Sequence, residues 1–430
     1  MRVAVIGGGV SGLGAAWALR DTHEVVLFEK NRRLGGHADT QWIDYDNARI
    51  MVDTGFIVYN DLNYPNLIAL FEALGVATRA SDMSFAVSDP DAFEWSSNGL
   101  PGLFAWKRNI VNPAFLRMLS DIIRFSTNAR RDLAARAIGS ETLEAYVRRL
   151  NLGRDFLDQY LMPMGAAIWS TPEREMLRYP ALSFLRFFDN HRLLHAARPE
   201  WRTVVGGSST YVQAISSALG DRVRLATPVV KVTREADGVS VVTAHGAERF
   251  DEVIFACHSD ETLGLLGDAD AEERRLLGDV KYAPNTAYLH RDKRLMPRRQ
   301  SAWGAWNYLR SGGEAGRVCV SYWMNVLQGI DKSRPLFVTL NPETPPDPAL
   351  TFGRYEYDHP QFSAEALAAQ HALQARQGAR HTWFAGAWLG YGFHEDGLAS
   401  GLEIALRLGG DVPWAKQITR RDGVPLVAAA

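Results

Sequence analysis

At 430 residues the chain is long enough for two domains, and 47% hydrophobic with 22% charged residues is the composition of an ordinary globular protein. A formal net charge of −2 without a basic tract excludes nucleic acid as an expected partner. Cys257 and Cys319 form no C-x-x-C pair and join no histidine at ligand spacing, which excludes a disulfide framework and leaves no metal site to expect.

Met1–Ile6 reads as a strand, Gly7–Gly12 as a tight turn, the alanine-rich run to Leu19 as a helix, and Glu24–Phe28 as a second strand ending at Glu29. This order grips the ADP half of a dinucleotide. Gly7 permits the turn, Gly9 lets backbone approach a pyrophosphate, and Gly12 lets the helix pack on the sheet. The helix opens at Val10 and Ser11 with free N–H groups aimed at phosphate. Glu29, followed by Lys30, is placed to accept hydrogen bonds from ribose hydroxyls and disfavours the 2′-phosphate of NADP. A strand at the very start leaves no cleavable signal peptide to expect, and no apolar run reaches the ~18 residues of a membrane span. The expected location is cytoplasmic, with peripheral contact at the inner membrane left open.

Glu29-x-x-x-Arg33-x-Gly35-Gly36-His37 resembles the E-x-x-x-R-x-G-G-R segment of the FAD-dependent amine oxidase and phytoene desaturase superfamily. The resemblance implies FAD, with the arginine and glycines around its diphosphate. His37 stands where the superfamily has arginine, so one phosphate contact is expected to be weaker or pH-dependent. The implied fold is α/β, a discontinuous Rossmann-like FAD-binding domain with an inserted α+β substrate domain. Its FAD-binding parts are expected at 1–80, 201–270 and 376–415, its substrate parts at 81–200 and 271–375, and a C-terminal tail at 416–430.

Further along, Asp53-Thr54-Gly55-Phe56-Ile57 matches the superfamily segment that passes under the flavin ring; the other reading is a strand end with a bend. Tyr64-Pro65-Asn66 opens a helix that Gly75 caps, and short strands follow within 81–100. From Pro113, apolar residues recur at helical spacing among Arg117, Arg124, Arg130 and Arg131, which makes 105–195 a mostly helical lid. Two readings of the first lid helix stay open, a core stripe or a face docked on a membrane. Met162–Ser170 and Phe184–His191 are rich in groups that suit a long apolar pocket or a lid core. His191 reads as a structural histidine.

A helix to Leu219 precedes strands Val229–Thr233, Val239–Ala244 and Phe250–Ala256, and the resemblance implies an adenine contact near Val230. Cys257 reads as a packed small hydrophobe outside the flavin segments. Strands are expected at Thr286–His290, Ala302–Tyr308, Val318–Met324 and Phe337–Leu340, then a proline-rich loop and a helix at 364–376. Ala385-Gly386-Ala387 and the run Tyr391-Gly392-Phe393-His394 into Ser400-Gly401 resemble the closing superfamily motif, whose helix faces the reduced flavin; Ala387 replaces its usual acid.

Longer words, including Trp201–Ser208, Ala302–Tyr308 and Gly390–Gly397, resemble a bacterial flavoprotein family encoded beside cyclopropane-fatty-acyl synthase-type methyltransferases. That implies redox chemistry on unsaturated or methylated acyl chains: hydride transfer to flavin with loss of a proton. The lipid or fatty acyl chain is the expected substrate and a lipid methyltransferase an expected partner. His394 is the candidate for proton transfer or a hydrogen bond to the flavin, with Tyr391 beside it. Two alternatives are a flavin amine oxidase, with Phe393 and Tyr391 in an aromatic box, and a non-catalytic flavin-binding partner of the methyltransferase.

Overall fold

The computed structural model describes residues 1–169, 173–310 and 319–416. Ser170, Val318 and all but the first residue of the expected tail lie outside the described residues. Arg2–Ile6 is the central strand of a five-stranded parallel sheet, flanked by Glu24–Phe28 then Val223–Arg224 on one side and by Glu252–Phe255 then Thr382–Phe384 on the other. Three distant stretches of chain thus share one sheet. Its strands are buried on both faces, as their unbroken apolar runs require: Val3 and Val5 join the core beneath helix Val10–Leu19, while Ala4 and Ile6 face a second core.

Helix Val10–Leu19 is buried on every side and crosses the closing helix His394–Arg407 at close range. A Cβ on Gly401 would stand 2.1 Å from the Ser11 carbonyl oxygen, so glycine there sets how near the helices approach. The opposite face carries an antiparallel meander, Val229–Glu235, Gly238–Thr243 and Gly246–Phe250. The meander is shifted from the sequence expectation, because Gly246–Phe250 closes it and Glu252–Phe255 turns into the parallel sheet.

A seven-stranded sheet forms the second body, in the order Thr351–Gln361, Lys281–His290, Phe337–Leu340, Cys319–Trp323, Trp306–Leu309, Phe85–Asp89, Phe93–Ser96. Neighbours are antiparallel except Trp306–Leu309, which runs parallel to Phe85–Asp89. The edge strand Thr351–Gln361 occupies a stretch to which the sequence reading gave no element.

Helices Pro113–Ala134, Leu143–Arg149, Met162–Trp169 and Ala181–Asn190 build the lid. Asn112 caps the first by accepting from the Ala114 N–H, with Pro113 in the first turn. Ahead of Met162 the helix widens to a π turn over Leu157–Leu161. Pro163 has no N–H for the Gln159 carbonyl, which instead accepts from Trp95 Nε1 at 3.1 Å. Among the described residues no helix is long and apolar enough to cross a membrane.

Candidate active site

The two bodies enclose one cavity of about 810 Å³, within the range of cofactor and ligand sites. It gathers residues that lie far apart in sequence: Gly7, Gly9, Val10, Ser11, Glu29, Lys30, Arg33, Gly35, Gly36, His37, Thr54, Gly55, Phe56, Ile57, Gly386, Ala387, Phe393 and His394 all line it.

At one end the turn after the first strand is built as its glycines require. Gly7 has φ +111° and a Cβ there would lie 2.6 Å from the Ala256 carbonyl oxygen, whereas Gly9 has no atom within 4 Å of that position and leaves room at the wall. Gly12 does not line the cavity; a Cβ would stand 1.9 Å from the Gly7 oxygen, so its smallness serves the packing of turn and helix. The buried Glu29 carboxylate accepts from the Gly8 and Asn31 N–H groups, both at 2.8 Å, and so fixes the turn while facing the cavity. Lys30 pairs with Glu261, and Arg33 with the buried Asp39 at 2.8 Å.

At the other end His394 opens the closing helix, its ring stacked on Phe56 at 3.9 Å with 8° between planes. Asp396 fixes this start by accepting from the Tyr391 and Phe393 N–H groups. His394 Nε2 lies 2.5 Å from the Tyr211 hydroxyl. Burial pushes the Tyr211 phenol well above its ordinary value, so it keeps its proton beside Nε2. Burial also lowers the imidazole to about 3. A ring that is neutral at ordinary pH and a weak base fits a hydrogen-bond donor better than a proton acceptor.

Between the ends stands a cluster the sequence reading missed. Tyr357 and His359, from the edge strand, lie 5.1 and 5.5 Å from the His37 ring, and His258 stacks on Tyr282 at 4.3 Å. The Tyr357 hydroxyl bonds Thr54 at 2.7 Å and donates to Asp39 at 3.0 Å, tying the second sheet to the cavity floor. The signal for this strand was the alternation of Tyr355, Tyr357 and His359 with charged residues.

A family model for flavin-containing amine oxidoreductases matches residues 10–324. The chain belongs to that family. The oxidoreductase is also similar in structure, at 16% identity, to putrescine oxidase bound to putrescine (TM-score 0.69, 95% of this chain and 99% of the other). A fatty acid isomerase from P. acnes that produces CLA matches at 14% identity and TM-score 0.69, over 94% of this chain and 98% of the other. A probable zeta-carotene desaturase of Synechococcus elongatus is 40% identical over 76 residues, which is 17% of this chain and only 15% of that relative.

FAD is the cofactor of this family, and the cavity fits it: the glycine turn leaves open space at Gly9, an acid closes the second strand, and His37 Nε2 is buried with no partner among the described residues. The backbone contact expected near Val230 falls beside the cavity: Val229 lines it, while strand alternation turns the Val230 side chain outward, 57% exposed. Tyr391 also lies off the cavity wall, its ring 6.1 Å from Phe187. Cys257, read as a packed small hydrophobe outside the flavin segments, lines the cavity, with its thiol bonded to Thr262 and raised to about 12 by burial.

Proposed function

We propose that this flavin-dependent oxidoreductase acts on fatty acyl chains, desaturating or otherwise oxidising unsaturated or methylated lipid. The observation that carries the reading is the cavity wall contributed by the lid and the second sheet: Met83, Phe85, Met164, Ile168, Leu193 and Leu340 present an apolar surface. Among the described lining residues Glu29 is the one buried carboxylate, and two backbone N–H groups occupy it; Glu261 is half-buried and paired with Lys30, and Glu356 and Asp358 are exposed. Such a wall suits an uncharged chain better than a buried ammonium.

FAD, when bound, supplies the two-electron acceptor. Glu29, the Gly7–Gly9 turn, Arg33 and His37 would hold its polar half. The protein's remaining tasks are to hold the acyl chain against the apolar wall, to exclude water, and to present the neutral His394 from the Tyr211 hydrogen bond. The second reading, amine oxidation, draws on Phe187 and Phe393, stacked at 5.0 Å in the same wall. A lipid methyltransferase partner follows from the finer family resemblance and is tested by co-purification.

Anaerobic mixing of the yellow holoprotein with lipids and with amines separates the readings. Bleaching of the flavin by an unsaturated or methylated acyl lipid, and by no amine, is expected. Bleaching by amines alone would overturn the lipid assignment.

A further inference from the structure

The surface between Leu100 and Arg131 is unlike the rest of the molecule in two independent ways. Among the described residues, five of the eleven exposed large apolar side chains fall here: Leu100, Ile110, Val111, Leu116 and Ile123. Val111 is 79% and Ile123 68% exposed. The same stretch holds six basic side chains, Lys107, Arg108, Arg117, Arg124, Arg130 and Arg131, all exposed, against one acidic side chain, Asp121, with a second, Asp132, just beyond it, in a chain whose net charge is −2. Both acids face inward: Asp121 is buried and bonded to Arg124 and the Gly153 N–H, and Asp132 is buried among Arg131, Arg149 and Tyr146. The outward charge is therefore wholly positive.

The geometry is that of a helix lying flat. Phe115, Met118, Phe125 and Ala129 of Pro113–Ala134 are buried in the lid core, and Phe104 packs on Phe115 at 6.2 Å, tying the preceding turn to it. Leu116 and Ile123, seven residues apart and so two turns along one stripe, point away from that core. Arg117, Arg124 and Arg131 repeat at the same interval beside the stripe. Ile110 and Val111 are likewise exposed, at the end of the turn that precedes the helix.

We propose that this face docks on an anionic lipid bilayer, with Ile110, Val111, Leu116 and Ile123 entering the headgroup boundary and the flanking arginines meeting lipid phosphates. An acidic protein would satisfy the arginines but leave a stripe of bulky apolar groups without a reason, whereas a planar anionic membrane takes both. The inference rests on exposure and charge and stands whether the substrate is a lipid or an amine.

The test is co-sedimentation of the full FAD-loaded chain with vesicles of phosphatidylglycerol and phosphatidylcholine in equal parts, and with phosphatidylcholine alone. Capture by the anionic vesicles, weakened by salt, is expected. The double change Val111→Asp with Ile123→Asp, and separately Lys107→Glu with Arg108→Glu and Arg117→Glu, should each lower apparent vesicle affinity by about tenfold or more. All these side chains are exposed, and unchanged flavin absorbance and thermal midpoint would show that the fold is intact. Equal capture of wild type and folded variants, equal capture by neutral vesicles, or no capture by either would overturn the proposal. So would binding to immobilised polyglutamate that matches the anionic vesicles and ignores the aspartate substitutions.

Discussion

His37 is the residue at which this chain departs most informatively from the family pattern. Its backbone carbonyl accepts from the Phe56 N–H at 2.7 Å, so the backbone is fixed while the ring faces the cavity. Burial, then His359, His258, His394 and Arg33, hold its imidazole well below the usual value, and Tyr357 packs on it from the edge strand with Asp39 beyond. A diphosphate brought to this ring favours the protonated form, so the bound state has the higher pKa. FAD affinity should then rise as pH falls through the bound-state value, by at most about tenfold per pH unit for one proton. Fluorescence titration of FAD between pH 5 and 8 measures this, and His37→Arg should abolish most of the slope; an unchanged slope would remove His37 from the linkage. Glu29→Ala should weaken FAD binding by about 1–3 kcal/mol, because ribose loses a charged acceptor and the Gly8 and Asn31 N–H groups lose theirs. Full FAD retention through dialysis would count against the ribose role. Cys257 lines the cavity as a protonated thiol, so acid precipitation should release all flavin into the supernatant, and flavin left on the pellet would show a covalent bond.

At the scale of elements, the pair formed by Val10–Leu19 and His394–Arg407 determines how both ends of the site are presented. Each helix starts at the cavity, and the contact between them rests on small residues: Gly401 against the Ser11 carbonyl, and Gly14, where a Cβ would lie 2.5 Å from Leu398 Cδ1. Gly401→Ala should cost about 1–3 kcal/mol by overpacking and lower the FAD content of purified protein; an unchanged denaturant midpoint would show that the pair can separate freely. Glu395 adds a second tie, accepting from the Asn66 and Leu67 N–H groups and so capping helix Pro65–Leu74 from the closing helix. These two helices were legible in the sequence because glycine turns, apolar runs and acids at fixed offsets each have a local physical cause. The edge strand Thr351–Gln361 was not, because four prolines just before it signalled a loop and its half-exposed face weakens the apolar alternation. The partner of His394 was illegible for another reason. Tyr211 sits 183 residues away on helix Ser209–Leu219, and only tertiary packing brings the hydroxyl to the ring.

On the scale of the whole molecule, the cavity is the seam between two sheets with separate cores, and polar ties cross it. Asp53, buried at the strand end before Gly55, accepts from Thr40, from Ser208 N–H and hydroxyl, and from Gln328 Nε2 at 2.7 Å, the last reaching over from the second body. Burial raises its carboxyl to about 6, which the Thr40 hydroxyl and the Ser208 N–H and hydroxyl hold back from rising further. Tyr357 makes the corresponding tie from the opposite edge through Thr54 and Asp39. A dinucleotide held in the seam would have wall residues from all three returns of the chain and from the second sheet within reach, and the unfolded chain offers it no such site. FAD should therefore stabilise by mass action, about 2.7 kcal/mol at a free concentration of one hundred times Kd. With roughly 2–4 °C per kcal/mol for bodies of this size, the holoprotein should unfold on the order of 5–10 °C above the apoprotein, and the midpoint should climb with added FAD. Calorimetry distinguishes how the gain is shared. If FAD couples the sheets, apoprotein melts in two resolved transitions and holoprotein in one; if it only fills a preformed cleft, a single transition shifts as a whole. A midpoint that ignores FAD while the flavin remains bound would contradict the placement of the cofactor along the seam.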